Sequence, residues 1–266
     1  PQKNDDNALE MYTLQCRNHI LKPLAEKYGI DTSDEAIRAA VEQHNEVCRL
    51  IRAIGDFRKE ANPRVTGYEF HILTLVSYVA PKHLIVDKLR ETLEEIKTRE
   101  PDAADKYRAR VVFVGSEVDD VDVIRLVEES GAYVCADRFC YGSLPGRDEI
   151  ILNDEEDVVK QVCRQVQGRA QCPRYWDMAK MTGRRDYVAD LAKEYGADGI
   201  IYEQMKFCDP WAYERMIGTI VLRDEHGYPV LAVDRPYSIG SSGQMRTRVQ
   251  AFVESIEIKK IQGGKK

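Results

Sequence analysis

The chain has 266 residues, of which 43% are hydrophobic and 32% charged, and its formal net charge at pH 7 is −6. This composition is typical of a globular protein with one large or two modest cores, and the interspersed, slightly acidic charges argue against a nucleic-acid partner. No uncharged apolar stretch approaches the roughly 20 residues that cross a bilayer, so we expect a cytoplasmic protein without a membrane partner.

The first third of the chain has helical patterns. Thr32 and Glu35 form a possible capping box, after which apolar residues recur at helical spacing over residues 37–54. A second amphipathic stripe runs over residues 85–96, and the proline and glycine between the two stripes indicate a turn. We interpret residues 1–109 as a helical connector, the tail of an incomplete N-terminal domain.

From residue 110 onward, short apolar runs alternate with amphipathic stretches. Such alternation is typical of a parallel sheet covered by helices. It predicts a doubly wound, four-stranded parallel sheet of the flavodoxin or Rossmann type in a C-terminal α/β domain, residues 110–266. The predicted strands are residues 111–114, 132–136, 199–202 and 230–233.

Several helices of this half have signals at their starts. Asn153 and Glu156 form a second possible capping box, and Asp209 followed by Pro210 is typical of an N-cap and a first helical residue. The last helix follows a small-residue loop that begins at residue 240. The exposed N–H groups of such a loop favour an anion or a carbonyl oxygen.

Seven cysteines occur without a CxxC pair, and an odd number in a protein of this type predicts reduced thiols. Cys48, Cys135 and Cys163 fall on predicted core positions. Cys172 lies in a predicted loop whose proline and aromatic residues could present the thiol or cover an edge of the sheet, and we favour the second interpretation.

Cys140 and Cys208 differ from the others because each directly follows a predicted strand. Loops at the carboxyl ends of parallel strands gather at one edge, and strands that flank a common neighbour lie about 10 Å apart. Both thiols are therefore expected within reach of one site. The pattern alone leaves two interpretations, a metal site and two ordinary packed cysteines.

Several common catalytic motifs are absent from the sequence. It contains no GxGxxG, HExxH, GxSxG or P-loop pattern, and its five histidines fall outside the predicted crevice loops. Dinucleotide binding, simple hydrolysis and imidazole catalysis are therefore not favoured, and no catalytic acid or base is identified.

Several segments, in order along the chain, resemble the carboxyl-terminal domain of the benzoyl-CoA reductase and 2-hydroxyacyl-CoA dehydratase family, which includes 2-hydroxyglutaryl-CoA dehydratase. They include Asp-Arg-Phe-Cys-Tyr-Gly at 137–142, Lys-Phe-Cys-Asp-Pro at 206–210, Asp-Arg-Pro-Tyr at 234–237 and the start of the last helix at 243–254. Residues 44–49 and 65–67 are similar to the region that links the two domains of that family.

The resemblance implies two α/β domains per subunit and a [4Fe-4S] cluster held by three cysteines. Cys140 and Cys208 match two of these ligands, and the third is expected from an amino-terminal region absent from this chain. The beginning at Pro1 also suggests a piece of a longer subunit. The N–H groups of residues 141–143 and of Asp209 are the implied hydrogen-bond donors to the cluster sulfurs.

The resemblance implies an oxidoreductase: the iron–sulfur catalytic subunit of an ATP-dependent reductase that delivers low-potential electrons to an aromatic CoA thioester. The motifs at 203–208 and 234–237 favour the benzoyl-CoA reductase branch. Glu203, Tyr237 and Gln244 are expected to line the substrate cavity.

The implied partners are a homologous cluster-binding subunit, ATP-hydrolysing electron-activating subunits, a ferredoxin-type upstream donor and the acyl-CoA substrate. Two alternatives to the reductase remain open. One is a subunit of a radical 2-hydroxyacyl-CoA dehydratase, and the other is a non-enzymatic flavodoxin-like binding module with structural cysteines.

Overall fold

The computed structural model of this protein describes residue 3 and residues 5–101, 106–143, 148–169, 171–175, 178–237 and 242–263. The N-terminal part is helical, as the sequence predicts. Its α-helices are α1 (Asp6–Cys16), α2 (Lys22–Tyr28), α3 (Asp34–Asp56), α4 (Gly67–Val79) and α5 (Lys82–Thr98). A π-helical segment (Arg17–Leu21) connects α1 to α2, and a 3₁₀ turn (Phe57–Lys59) follows α3.

Helix α4 occupies a stretch where the sequence pattern indicated only a turn. It begins with a capping box, in which the Glu69 N–H donates to the Thr66 hydroxyl (3.0 Å) and the Thr66 N–H donates to the Glu69 carboxylate (2.9 Å). Hydrophobic periodicity missed this helix because polar residues lie on its buried face while valines are exposed. The capping box expected at Thr32 and Glu35 is wrong, because Ser33 caps α3 one residue later.

Helices α3, α4 and α5 pack around a hydrophobic core of their own. Cys48 of α3 is buried, as predicted. The apolar side chains that fill this core are Val47, Ile51, Ile54, Val65, Phe70, Ile85, Leu89 and Ile96.

The second half is built on one parallel sheet of four strands in the order β2-β1-β3-β4. This order, with β1 inside the sheet and a reversal between β1 and β3, is that of flavodoxin-like proteins and confirms the predicted fold class. Three strands extend two or three residues beyond the predicted apolar runs because their polar carboxyl ends are also paired, whereas β1 begins two residues before its run. The strands are β1 (Ala109–Val114), β2 (Ala132–Arg138), β3 (Gly199–Met205) and β4 (Val230–Arg235).

Helices cover both faces of this sheet. Alternate residues of β1 point to opposite faces, so Val111 and Phe113 belong to one core while Val112 and Val114 belong to the other. Helices α6 and α10 pack on the first face, and α8 and α9 pack on the second. The helices of this half are α6 (Val121–Glu129), α7 (Val158–Arg169), α8 (Met178–Glu194), α9 (Asp209–Asp224) and α10 (Ser242–Gly263).

Two of the predicted helix starts in this half are wrong by a few residues. The start of α7 is capped by Asp157, whose carboxylate accepts the Lys160 N–H (2.7 Å), so the box at Asn153 and Glu156 does not form. Helix α9 already includes Asp209, and Cys208 is its N-cap. A cysteine at an N-cap has no sequence signature of the kind that Asp or Ser provides, which explains the shift.

The helical part and the sheet meet through buried polar contacts. The Glu128 carboxylate accepts the first N–H groups of α4, from Gly67 (2.8 Å) and Tyr68 (3.1 Å), and thereby fixes α4 against α6. The change from helices to strands occurs at Ala109, where the sequence pattern changes. The division into two domains at that point stays a prediction. Within the described ranges, no helix combines the length and the apolar character needed to cross a membrane.

Candidate cysteine site

The strand order brings the two predicted cysteine loops to the same edge of the sheet. Because β1 lies between β2 and β3, Cys140 after β2 and Cys208 after β3 flank the carboxyl end of β1. Both thiols are half-buried and pack against the same core, which contains Trp211. The common neighbour assumed from the sequence therefore exists, and it is β1.

The Cys140 loop is held by buried polar contacts. Asp137 forms an ion pair with Arg58 (2.9 Å), and its other carboxylate oxygen accepts the Ser143 N–H (2.6 Å). The Cys140 N–H donates to the carbonyl of residue 116 (2.8 Å). A Cβ at Gly142 would lie 2.2 Å from the Asp137 carboxylate, so this turn requires glycine for its close approach.

Two of the N–H groups expected to face a cluster are already used inside this loop. The Gly142 N–H donates to the Phe139 carbonyl (3.0 Å), and the Ser143 N–H donates to Asp137. The expectation for these two groups is therefore wrong, because the loop closes on itself through them.

Cys208 occupies a different local structure, the start of α9. Its N–H donates to the Met205 carbonyl (3.1 Å). Phe207, directly before it, has a left-handed backbone with φ of 71° and is 97% exposed. The positive end of a helix dipole favours a thiolate at such a position.

Trp211, in the first turn of α9, connects the two cysteines. Its backbone N–H favours the thiolate form of Cys208, and its indole N–H favours that of Cys140. The ring is buried, and the indole N–H makes no well-aligned hydrogen bond in the described part of the chain. A buried donor without an acceptor is costly, and negative charge on the Cys140 sulfur would supply the acceptor.

Burial dominates the titration of both thiols. It raises the pKa of Cys140 to about 11, with Trp211 acting in the opposite direction, and it also raises the pKa of Cys208. Both sulfurs therefore carry protons at neutral pH. Binding of a metal would displace these protons, because thiolates are the ligands.

Arg138, two residues before Cys140, is a buried cation without an ion-pair partner among the described residues. It is 1% exposed, its guanidinium lies 4.7 Å from the Trp211 ring centre, and it donates to the side-chain oxygen (3.1 Å) and the backbone carbonyl of Gln171. Burial lowers its pKa. An isolated buried charge is unfavourable, so the site is electrostatically suited to a bound anion.

Ser116, two residues after β1, connects β3 with the Cys140 loop. Its carbonyl accepts the Cys140 N–H, and its hydroxyl accepts the Met205 N–H (2.6 Å) and donates to Glu203 (2.9 Å). Glu203 is fully buried and lies 2.9 Å from the Arg235 guanidinium, although the two groups are poorly aligned for a hydrogen bond. Burial raises the pKa of Glu203 to about 7, against the lowering effects of Arg235 and Ser116.

The three expected substrate residues surround Arg235 but do not share one cavity. Gln244 and Arg235 line a cavity of about 280 Å³. Tyr237 is exposed, and its hydroxyl donates to Asp119 (2.7 Å). Glu203 lies buried behind Arg235, so its contact with a substrate stays a prediction, as do those of Tyr237 and Gln244. Most of the small-residue loop before Gln244, residues 238–241, lies outside the described residues.

The donor set fits a thiolate-bound, anionic metal group. Cys140 and Cys208 offer two sulfurs, Trp211 offers an unused N–H, and Arg138 offers compensating charge. No three histidine, cysteine or acidic side chains within the described ranges are grouped closely enough to hold a single metal ion. Sequence reasoning missed Arg138 and Trp211, whose proximity arises only from the packing of α9 on the sheet.

The fold and the site define a class: an open parallel α/β protein with a cysteine site at the carboxyl edge, next to the point where the strand order reverses. The family described as 2-hydroxyglutaryl-CoA dehydratase, D-component, matches residues 1–256, and the chain belongs to that family. The resemblance noted from the motifs is thereby confirmed.

Three curated proteins illustrate the relationship. The chain is 25% identical to the (R)-phenyllactyl-CoA dehydratase beta subunit of Clostridium sporogenes, over 86% of this chain and 59% of the relative. It is 22% identical to a benzoyl-CoA reductase subunit of Thauera aromatica, over 96% and 65%. It is 24% identical to the (R)-2-hydroxyglutaryl-CoA dehydratase beta subunit of Acidaminococcus fermentans, over 96% and 67%. The chain thus spans about three fifths to two thirds of the length of these relatives.

Proposed function

We propose that this chain is a cluster-binding subunit of an enzyme that reduces or dehydrates a CoA thioester. The observation that carries the proposal is the pairing of Cys140 and Cys208 around Trp211 at the carboxyl edge of the sheet. The relatives support it, because their names describe subunits of CoA-thioester dehydratases and of a CoA-thioester reductase.

Cys140 and Cys208 are the residues that would hold a [4Fe-4S] cluster, with at least one further ligand. When bound, the cluster would supply single electrons at low potential. Trp211 would donate to a ligating sulfur, and Arg138 would compensate part of the negative charge of the thiolates. The buried core beneath both cysteines would exclude water from the ligating side of the site.

Two reactions are candidates, and each is favoured by a named relative. Dearomatising reduction of an aromatic CoA thioester is suggested by the benzoyl-CoA reductase relative, and loss of water from a 2-hydroxyacyl-CoA is suggested by the dehydratase relatives. Both require electrons, so the proposed partners are a homologous cluster-binding subunit, ATP-hydrolysing electron-activating subunits and a ferredoxin-type donor.

The cluster is tested on the chain co-purified without oxygen with its homologous subunit. We expect a brown complex with absorption near about 400 nm, and loss of iron and colour from this subunit in Cys140→Ser and Cys208→Ser. Cys16→Ser is the matched control, because Cys16 is also half-buried but packs in a separate cluster that contains Leu9 and Cys163. A colourless complex with full activity would overturn the proposal.

The reaction is tested with the same complex, ATP, a reductant and the activating subunit. Benzoyl-CoA that gains two hydrogen atoms identifies the reductase, and a 2-hydroxyacyl-CoA that loses water identifies the dehydratase. Product masses distinguish the two. A cluster-loaded, ATP-hydrolysing complex that converts neither type of thioester would contradict both candidate reactions.

A further inference from the structure

The cavity of about 280 Å³ lies where β3 and β4 end and α10 begins, and its charge is mainly positive. Lys206, Arg235 and Arg248 bring three cations to its wall. Among the described residues that line it, the acidic one is Asp234. A concave site with an excess of cations attracts an anion.

Two of these cations have donors that the protein does not use. The Lys206 side chain is exposed, while its backbone N–H donates to the Arg235 carbonyl (2.7 Å) and holds the residue at the cavity. The Arg248 guanidinium donates to the Ala232 carbonyl of β4 (2.6 Å). Neither side chain forms an ion pair with a described residue, so both retain N–H groups and charge for a ligand.

Arg235 contributes charge rather than free donors. Its terminal nitrogens donate to the backbone carbonyls of residues 117, 236 and 237. Its counter-charge is Glu203, whose pKa is raised to about 7 by burial. At neutral pH a carboxylate therefore balances Arg235 only in part, and the rest of its charge adds to that of the two unpaired cations.

The remaining walls of the cavity are apolar. Val123 and Leu126 come from α6, Pro236 follows β4, and Met245 comes from α10. Carbon groups pack on such walls, and an inorganic anion has none. Cavities that enclose a whole organic ligand usually have about 300–1,000 Å³, so this smaller volume suits one charged end of such a ligand.

We propose that this cavity binds a phosphate group of an organic ester, with Lys206, Arg248 and Gln244 as its donors. Gln244 lines the cavity from the first turn of α10, and its amide N–H groups make no hydrogen bond to a described residue. The inference rests on the CoA-thioester function proposed above and deepens it. Coenzyme A has its phosphate groups at the end of the molecule away from the thioester.

A chain of buried polar contacts joins this cavity to the cysteine site. Arg235 lies 2.9 Å from Glu203, which accepts the Ser116 hydroxyl (2.9 Å), and the carbonyl of Ser116 accepts the Cys140 N–H. Both sites thus lie at the carboxyl edge of one sheet, where ligands of open parallel sheets bind. A ligand with a phosphate at one end and a thioester at the other matches this arrangement.

The binding test uses the full 266-residue chain, free coenzyme A and isothermal titration calorimetry. Lys206→Gln and Arg248→Gln should each weaken binding roughly tenfold, because each removes a charged hydrogen-bond donor. Arg246→Gln is the matched control. It removes the same charge from α10, but Arg246 pairs with Glu129 (2.8 Å) away from the cavity, so the affinity should not change. Urea unfolding checks that the exposed substitutions leave the fold intact.

Two further ligands identify what the cavity recognises. Inorganic phosphate should compete with coenzyme A but bind more weakly, because it lacks the carbon groups that reach the apolar walls. Pantetheine, which has no phosphate, should bind wild type and both variants equally. If inorganic phosphate binds as tightly as coenzyme A, the cavity is a site for free phosphate and the ester assignment is wrong. Coenzyme A binding that neither substitution weakens would overturn the site.

Failure of this inference differs from failure of the proposed function. If both folded variants bind coenzyme A as well as wild type while the complex with the homologous subunit holds a cluster and converts a thioester, the phosphate lies elsewhere and the proposed function stands. If the chain binds coenzyme A through Lys206 and Arg248 but the complex holds no cluster, the proposed function is wrong and the phosphate site remains.

Discussion

The Cys140 loop and the Cys208 loop lie at the same edge of one sheet but are stabilised in different ways. The Cys140 loop is fixed by the buried Arg58–Asp137 pair and by hydrogen bonds within the loop. The Cys208 loop depends on the start of α9 and on a left-handed residue, Phe207, that is almost fully exposed. One sulfur is thus positioned by the core of the protein and the other by a turn.

The difference predicts where substitutions act. Changes beneath the Cys140 loop disturb buried charges and packing, so they should reduce the free energy of unfolding of the whole chain. Changes at Phe207 affect an exposed turn, so they should alter that free energy only slightly. The following four predictions test this contrast in order of expected size.

The largest effect is expected for Asp137→Asn. The substitution keeps the side-chain oxygen that accepts the Ser143 N–H but leaves Arg58 buried without its counter-charge. Breaking one partner of a buried pair costs about 3–5 kcal/mol, and urea unfolding measures this cost. Glu149→Gln, which removes a solvent-accessible partner of Arg49, is the control and should change the free energy of unfolding far less. If Asp137→Asn lowers the free energy of unfolding no more than Glu149→Gln does, the buried Arg58–Asp137 pair does not stabilise the Cys140 loop in the way described.

His71 should make the support of the Cys140 loop sensitive to acid. It is buried edge-on against Phe139 (5.1 Å between ring centres), and neither ring nitrogen makes a well-aligned hydrogen bond among the described residues. Burial lowers the pKa of His71 to about 4 from the usual 6.5; nearby Arg58 acts in the same direction, and Asp137 and Asp119 oppose it.

Because the folded pKa of His71 lies below the unfolded one, the unfolded state binds the proton first as pH falls. Stability should therefore be lost between about pH 6.5 and 4, by on the order of 3 kcal/mol from this group. His71→Phe should remove this part of the pH dependence, and His83→Phe, at an exposed position, should not. Urea midpoints at several pH values measure it, and parallel curves for wild type and His71→Phe would refute the assignment.

Gly142→Ala should destabilise by about 1–3 kcal/mol, because the added methyl group would lie 2.2 Å from the Asp137 carboxylate. Gly168→Ala is the matched control, since nothing lies within 4 Å of its added Cβ and alanine favours the helix α7. Unfolding free energies of the two variants should change in opposite directions. A neutral Gly142→Ala would show that the Cys140 loop is easily displaced.

The smallest effect is expected at the Cys208 loop. Phe207→Gly should raise stability by up to about 1 kcal/mol, because glycine adopts a left-handed backbone without strain. Phe207→Ala removes the same ring but keeps a Cβ, so it should give no such gain. If both variants have the same unfolding free energy, the cost lies in the exposed ring and not in the backbone.

Much of the fold was predictable because its signals are local. The four apolar runs are short, contain residues that favour strands and are bounded by turns, and each forms a strand of the parallel sheet. Helix α4 was missed because its buried face contains His71, Thr74 and Ser77, which invert the usual pattern. His71 packs edge-on against Phe139, next to Cys140, and local periodicity does not contain such a contact.

The sequence by itself determined three features, because each depends on residues that are neighbours in the chain. They are the succession of strands and helices, the positions of Cys140 and Cys208 directly after strands, and the family motifs. The strand order β2-β1-β3-β4 and the positions of Arg138 and Trp211 are not among them. These arise from contacts between residues far apart in sequence, which form only when α8 and α9 pack on the sheet. Tertiary packing therefore turned two cysteine loops into a site with a buried cation and a buried indole N–H donor.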